Sequence, residues 1–243
     1  MIDVHSHIIP GIDDGSRSME MSLTMAKQSV DAGVKHVVCT PHIHWGVFDN
    51  TRAEIASGFE ALKEAVERER IPLTLSWAGE VRIKEIIPQW LANDELPFIG
   101  KWKGKPVLLL EMPHSHVPAG LDQLLRWLQS SGVQPLIPHP ERNRDVLKMP
   151  DKIQWLRNLG CLLQVTAGAI TGRFGENVQA LSEQMLEADQ VDVVASDMHD
   201  DVKRPNDMGE AYNAVKEMIS KERADKLFKL TPGKIVTEKM RDR

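Results

Sequence analysis

The sequence predicts an α/β fold, and within that class a distorted (β/α)7 TIM-like barrel, on three observations. Short β-branched apolar runs alternate with longer amphipathic runs seven times, the pattern of a parallel sheet with helices outside it. Six of the seven apolar runs end in a histidine or a carboxylate, and a parallel barrel gathers the carboxyl ends of its strands on one face. The 243 residues show no low-complexity linker and no shift in composition, so residues 1–243 are expected to form a single domain. The alternative is a doubly wound sheet. It would hold a ligand in one crevice, and no glycine-rich phosphate loop follows the first strand here.

In chain order, Ile2 to His7 is the first expected strand, interrupted by Pro10-Gly11 and Asp13-Asp14-Gly15. Ser18 caps a helix to about Ala32, which Gly33 ends. Val34 to Thr40 is the second strand, stopped by Pro41, and Thr51 to Arg70 carries Ile55, Phe59, Leu62 and Val66 at helical spacing. Pro72 to Ala78 is the third strand, with a short helix near Glu85 to Leu91. Val107 to Glu111 is the fourth, followed by a helix over Leu121 to Ser131 that Gly132 ends. The fifth strand, Val133 to Ile137, leads to a helix over Asp151 to Leu159. The sixth, Cys161 to Thr166, leads to one near Asn177 to Ala188. Val191 to Ala195 is the seventh, and two helices, Asp207 to Ile219 and Lys221 to Leu227, close the chain.

A hydrophobic content of 42% against 27% charged residues describes a globular chain with a sizeable core. No apolar run approaches the ~20 residues of a membrane span. The first residues carry neither a basic region nor an apolar signal core, so a cytoplasmic location without membrane insertion is expected. Cys39 and Cys161 lie in apolar runs, which suits buried thiols. A net charge of -5 argues against a dedicated nucleic-acid partner.

The chemistry is organised around Asp3-Val4-His5-Ser6-His7. On a strand, residues two apart share a face, so His5 and His7 present two imidazoles to one point, and imidazole is the commonest metal ligand. Their partners stand at the other strand ends: His42 in Thr40-Pro41-His42, Glu80 after Gly79, Glu111 after three leucines, His139 between two prolines, and Asp197 and His199. Glu111 continues an apolar strand, where an unpaired carboxylate is costly and a cation is called for. Asp13 and Asp14 beside Gly15 have the chemistry of a turn. Arg142 and Arg204 follow the fifth and seventh strands, where a guanidinium either holds phosphate oxygens in a fork or remains an exposed charge. Five histidines and up to four carboxylates, Asp14 included, are too many ligands for one ion. A mixed imidazole and carboxylate set without thiolate favours Mn²⁺, Fe²⁺ or Zn²⁺, and clustered ions of this kind serve phosphoester hydrolysis.

The motifs D-V-H-S-H-I-I-P-G-I-D-D-G, T-P-H, G-E, P-H-P-E-R-N and A-S-D-M-H, from Asp3 to about Arg204, resemble the polymerase-and-histidinol-phosphatase (PHP) superfamily. They are most similar to its bacterial manganese-dependent tyrosine-protein phosphatase branch, associated with capsular and extracellular polysaccharide synthesis. The resemblance implies the PHP type of barrel and three divalent metal ions, Mn²⁺ first. One ion would take His5, His7, Glu80 and Asp197; a second Glu80, Glu111 and His139; a third Asp14, His42 and His199. It also implies that Arg142 and Arg204, with His199 beside them, act on the phosphate. The substrate implied is the tyrosine-rich tail of a bacterial tyrosine kinase, hydrolysed in one step by a metal-activated hydroxide. A histidinol-phosphate type of small-molecule phosphatase and a polymerase-associated module are the alternatives on the same barrel. Branch members carry a second histidine directly after Thr-Pro-His; here Ile43 intervenes before His44, whose role stays open. The aromatic loop Trp45 to Phe48 serves either to stack on a phenol ring or to pack as a lid.

Overall fold

A computed structural model describes residues 1–240 of the chain. Strand β1 (Ile2–Ser6) leads to helix α1 (Met19–Asp31), where the Ser18 side chain accepts a hydrogen bond from the Met21 N–H. Gly33, at φ +85°, turns the chain out of α1 without a Cβ clash. The next two expected strands are each split. β2 (His36–Cys39) stops before Pro41, which has no N–H for a ladder, and β3 (His42–Ile43) resumes beyond it. After α2 (Arg52–Arg68), opened by a Thr51–Glu54 capping box, β4 (Thr74–Trp77) and β5 (Glu80–Arg82) flank Gly79. A Cβ on Gly79 would lie 2.7 Å from Ile43 Cδ1. His42 and Glu80, expected at the ends of the second and third strands, are register partners on the continuing strands β3 and β5.

Helix α3 (Ile87–Ala92) precedes a hairpin absent from the sequence expectation. β6 (Gly100–Trp102) runs antiparallel to β7 (Lys105–Glu111) through Lys103-Gly104, at φ +52° and +80°. Two successive positive φ values make the turn whose twist matches its strands. The alternation continues through α4 (Leu121–Ser130), β8 (Gln134–Pro138), the short α5 (Arg144–Lys148), α6 (Asp151–Asn158) and β9 (Leu162–Thr166). It ends with the short α7 (Ala167–Ile170), α8 (Glu176–Glu187) and β10 (Val193–Ala195). Helices α9 (Met208–Met218) and α10 (Lys221–Asp225) take the place of the two expected closing helices. The chain does not stop at Leu227: a π-helical turn over Lys226–Leu230 feeds α11 (Thr231–Met240). Pro232 sits in the first turn of α11, where its missing N–H costs no helical bond.

Neighbouring strands follow the orders β1-β2-β4 and β10-β9-β8-β7-β5-β3, all parallel except β6. Because β3 continues β2 and β5 continues β4, the two ladders make one ring of seven passages, the distorted barrel expected. Its seam lies between β10 and β1. There the Asp197 N–H donates to the His5 carbonyl (2.9 Å), the His7 N–H to that of Met198 (2.9 Å), and the Ser196 N–H to Asp3 Oδ1 (2.9 Å).

The interior of the ring is apolar at one end. Val4, Val38, Leu109, Leu136 and Val193 pack with Ile235 and Val236 of α11, which forms a floor. A Cβ on Gly100 would lie 2.0 Å from the Ile235 carbonyl oxygen, so glycine on β6 admits α11 to this contact. Outside the ring, Met25, Ile55, Leu62, Leu125, Leu156 and Met185 bury the inner faces of the helices. Each such side chain contributes about 1.5–3 kcal/mol on burial. Among the described residues no helix is long and apolar enough to cross a membrane.

Candidate metal centre

The strand ends away from α11 carry the polar residues singled out by the sequence. β1 gains one residue against β2 between Asp3 and Ser6, a bulge of the kind that re-aims side chains beside functional sites. His5 and His7, fully buried, bring their Nε2 atoms to 3.2 Å. From Glu80 Oε2, His5 Nε2 lies 3.3 Å and His7 Nε2 3.4 Å. The distances to Asp197 Oδ1 are likewise 3.3 and 3.4 Å. These four side chains form one compact group. On the far side, His42 Nε2 and His199 Nε2 lie 3.4 and 3.6 Å from Asp14 Oδ1, and His7 joins that group too. His139 Nε2 is 2.9 Å from Glu80 Oε1, and His42 Nδ1 is 3.7 Å from Glu111 Oε2. Glu111 and His139, implied as fellow ligands of one ion, therefore fall into different groups. Glu111 sits with Glu80 and His42, His139 with His5 and Asp197.

Arg142, in the single turn Pro140–Arg142 after β8, and Arg204, before α9, both donate to Asp197 Oδ2, Arg204 from Nη2 at 2.7 Å. The Phe174 ring underlies both guanidiniums, with Cζ of Arg142 at 4.5 Å and of Arg204 at 5.8 Å from its centroid. Arg204 Nε is buried without a hydrogen-bond partner, so a donor remains for an anion. His139 and Asp197 hold left-handed backbone, φ +38° and +51°. For residues other than glycine this costs about 1–3 kcal/mol and clusters at functional sites. The conformations are held by N–H bonds from His139 to the Gln164 carbonyl (2.8 Å) and from Asp197 to that of His5 (2.9 Å).

A family model described as capsular polysaccharide synthesis, CpsB/CapC, matches residues 1–237. The chain belongs to the CpsB/CapC family. YwqE of Bacillus subtilis, named a tyrosine-protein phosphatase, is 36% identical over 82% of this chain and 77% of its own length. CpsB of Streptococcus pneumoniae, also named a tyrosine-protein phosphatase, is 28% identical over 99% of this chain and 100% of its own. A crystal structure from the set of YwqE and CpsB, described as unique metal-dependent tyrosine phosphatases, superposes with a TM-score of 0.91. Its sequence is 32% identical, and the match covers 98% of this chain and 95% of that one. This is the branch to which the motifs point.

The donor set of this CpsB/CapC chain fits divalent cations. Glu80 Oε2, Glu111 Oε2 and His42 Nδ1 are buried without a hydrogen-bond partner, although His42 Nδ1 and Glu80 Oε2 stand 2.9 Å apart. Orphaned buried acceptors facing one another are costly unless a cation lies between them. Burial, then the negative charges of Glu80 and Asp197, push the Glu111 carboxyl up to about 9. Glu80 goes the other way: burial resists ionisation, but the His5 and His42 imidazoles and the His139 hydrogen bond hold its carboxyl well below the usual range. Burial and the Arg142 charge press His139 down to about 3, leaving the neutral imidazole that binds metals.

Several residues of this centre escape a reading of the sequence. Asp13, there part of a turn, accepts from His7 Nδ1 at 2.7 Å and from the His42 N–H at 3.0 Å, and so aims His7 Nε2 inward. Gln164 does the same for His5, its Oε1 2.8 Å from Nδ1. The available signal was a polar residue inside the apolar run Leu162-Leu163-Gln164-Val165. Arg82 Nε stands 3.2 Å from Glu111 Oε2. Phe48 stacks on His42 at 5.5 Å, whereas Trp45 is 57% exposed and lies 6.2 Å from Trp90. His44 lines a neighbouring groove instead of the centre. Cys39 and Cys161 are free and buried, and burial pushes the Cys161 thiol up to about 12, so neither offers a thiolate nucleophile.

Proposed function

We propose that this chain is a metal-dependent protein-tyrosine phosphatase, a phosphoric monoester hydrolase acting on phosphotyrosine in another protein. One observation carries the reading: eight imidazole and carboxylate side chains and two arginines line a cavity of about 40 Å³, and His5 and His7 stand within 3.4 Å of its Glu80 and Asp197. The names of the relatives support it. His5, His7, Glu80 and Asp197 would hold one ion, Glu80, Glu111 and His139 a second, and Asp14, His42 and His199 a third, with Mn²⁺ the best match and Fe²⁺ or Zn²⁺ next. Such ions supply Lewis acidity and activate water near neutral pH. The chain's own residues do the rest. Arg142 and Arg204 each have N–H donors beyond those on Asp197, and these take the phosphoryl oxygens and neutralise charge that grows as the ester bond breaks. Phe174 keeps the two guanidiniums in place. His199 bonds through Nδ1 to the Asp197 carbonyl (3.0 Å), which leaves Nε2 facing the centre. A phenolate with pKa ~10 leaves without a dedicated acid.

Membership of a capsular polysaccharide family supports a cytoplasmic role on the tyrosine-rich tail of a kinase that regulates this synthesis. The test is removal of metal by chelation, followed by readdition. Hydrolysis of a phosphotyrosine peptide is expected to fall to background and return with Mn²⁺, with histidinol phosphate cleaved far more slowly. Full activity in the stripped protein would refute the proposal.

A further inference from the structure

We infer that the groove beside the metal centre seats the substrate chain next to the phosphotyrosine and selects segments rich in carboxylates; this rests on the phosphatase reading above. The centre has about 40 Å³, room for roughly three water-sized groups, so a phenol ring and its peptide must lie outside it. A cavity of about 740 Å³ opens next to it, between the stretch 82–88 after β5 and the stretch 113–124 that leads into α4. His114 lines both cavities, and its ring lies 5.3 Å from that of His139, so the groove begins where the centre ends.

The lining has two characters. Pro118 and Leu124, half-buried over Leu121, offer an apolar surface for side chains, while Arg82, Lys84 and Arg144 stand against one acid, Glu85. That is a local excess of two positive charges in a chain of net charge -5. Arg82 is occupied, its Nε 3.2 Å from Glu111 and its Nη1 donating to the Met112 carbonyl at 2.7 Å. Lys84 and Arg144 form no ion pair among the described residues, and Arg144 is exposed. Two cations without partners beside an apolar strip complement an extended peptide with acidic residues, and their field steers such a peptide to the centre and repels a basic one.

The experiment is steady-state kinetics of the Mn²⁺-loaded full chain with three substrates. Two are phosphotyrosine peptides alike except that acidic flanking residues are replaced by Ser and Asn; the third is p-nitrophenyl phosphate. The wild type is expected to show a KM about tenfold lower for the acidic peptide, as two surface ion pairs supply together, and the advantage should shrink above ~0.15 M salt. In a Lys84→Glu/Arg144→Glu variant that advantage should vanish, with kcat held and p-nitrophenyl phosphate within about twofold of wild type. Equal KM values for both peptides in the wild type, or an equal loss on all three substrates in the variant, would overturn the groove assignment alone. A wild type that cleaves none of the three brings down the phosphatase reading, and the groove with it.

Discussion

The two ends of the barrel are built by opposite means. At the floor, regular strands offer Val38, Leu109, Leu136 and Val193 to Ile235 and Val236, and the arrangement needs no exception to strand geometry. At the mouth nearly every rule is relaxed: a bulge in β1, breaks at Pro41 and Gly79, and left-handed backbone at His139 and Asp197. A ladder aims side chains only along its pleat. Bringing acids and imidazoles from six passages to one point requires departures from it, and the apolar floor supplies the stability that offsets their cost.

If the ends divide their labour in this way, substitutions should separate activity from stability. The largest effect belongs to the mouth: Glu80→Gln is expected to lower kcat/KM on a phosphotyrosine peptide about a thousandfold or more, roughly 4 kcal/mol of activation free energy. Compared without metal, the variant should still fold and unfold cooperatively and melt only somewhat earlier than the wild type, since the depressed Glu80 pKa makes its charge mildly stabilising; loss of cooperative unfolding would undo the division. Next comes Ile235→Ala at the floor, fully buried, with a loss of about 2–5 kcal/mol in urea unfolding and near-normal kcat below the melting range. Asp13→Asn keeps a side chain against His7 but removes its charge. Mn²⁺ titration should show affinity weakened about 10- to 100-fold, and unchanged affinity would leave Asp13 a turn residue after all.

The smallest effect lies outside both ends. Asp225 accepts from Lys221 Nζ (2.6 Å), Lys229 Nζ (2.5 Å) and the Tyr212 hydroxyl (2.8 Å), and these bonds hold its carboxyl below the ordinary range. A depressed folded-state pKa means that the contribution is complete above the unfolded value of ~3.9 and disappears as pH falls through the lower folded one. The gap in unfolding midpoint between wild type and Asp225→Asn should therefore be constant above about pH 5, begin to narrow near the unfolded value of ~3.9 and go on narrowing as pH falls toward the lower folded one. A gap constant at every pH would point to packing.

What could be read in advance follows from how locally each feature is encoded. The alternation of elements and the residues at strand ends depend on spacing within one segment, and the structure brings His5 and His7 beside Glu80 and Asp197, with Glu111 in the adjoining group of Glu80 and His42. The β6–β7 hairpin and α11 were not read, since the residues that fit them together lie far apart in sequence: glycine at position 100 is explained only once Ile235 lies on it. Asp13 and Gln164 were missed for the same reason. Their role is a bond to an imidazole whose position the whole ring determines.

The seam carries a topological consequence. Asp3 and Ser196 are 193 residues apart in sequence, yet one hydrogen bond joins them beside His5 and Asp197. Any link across this point closes a loop of nearly the whole chain, and the neighbouring bonds from Asp197 to the His5 carbonyl and from His7 to that of Met198 tie the first passage to the last in the same way, although loop entropy grows only logarithmically. Cation binding there would act as a clasp on the entire ring. A circular permutant cut in an outer loop should therefore keep both clasp and catalysis, whereas one opened at the seam should lose them together.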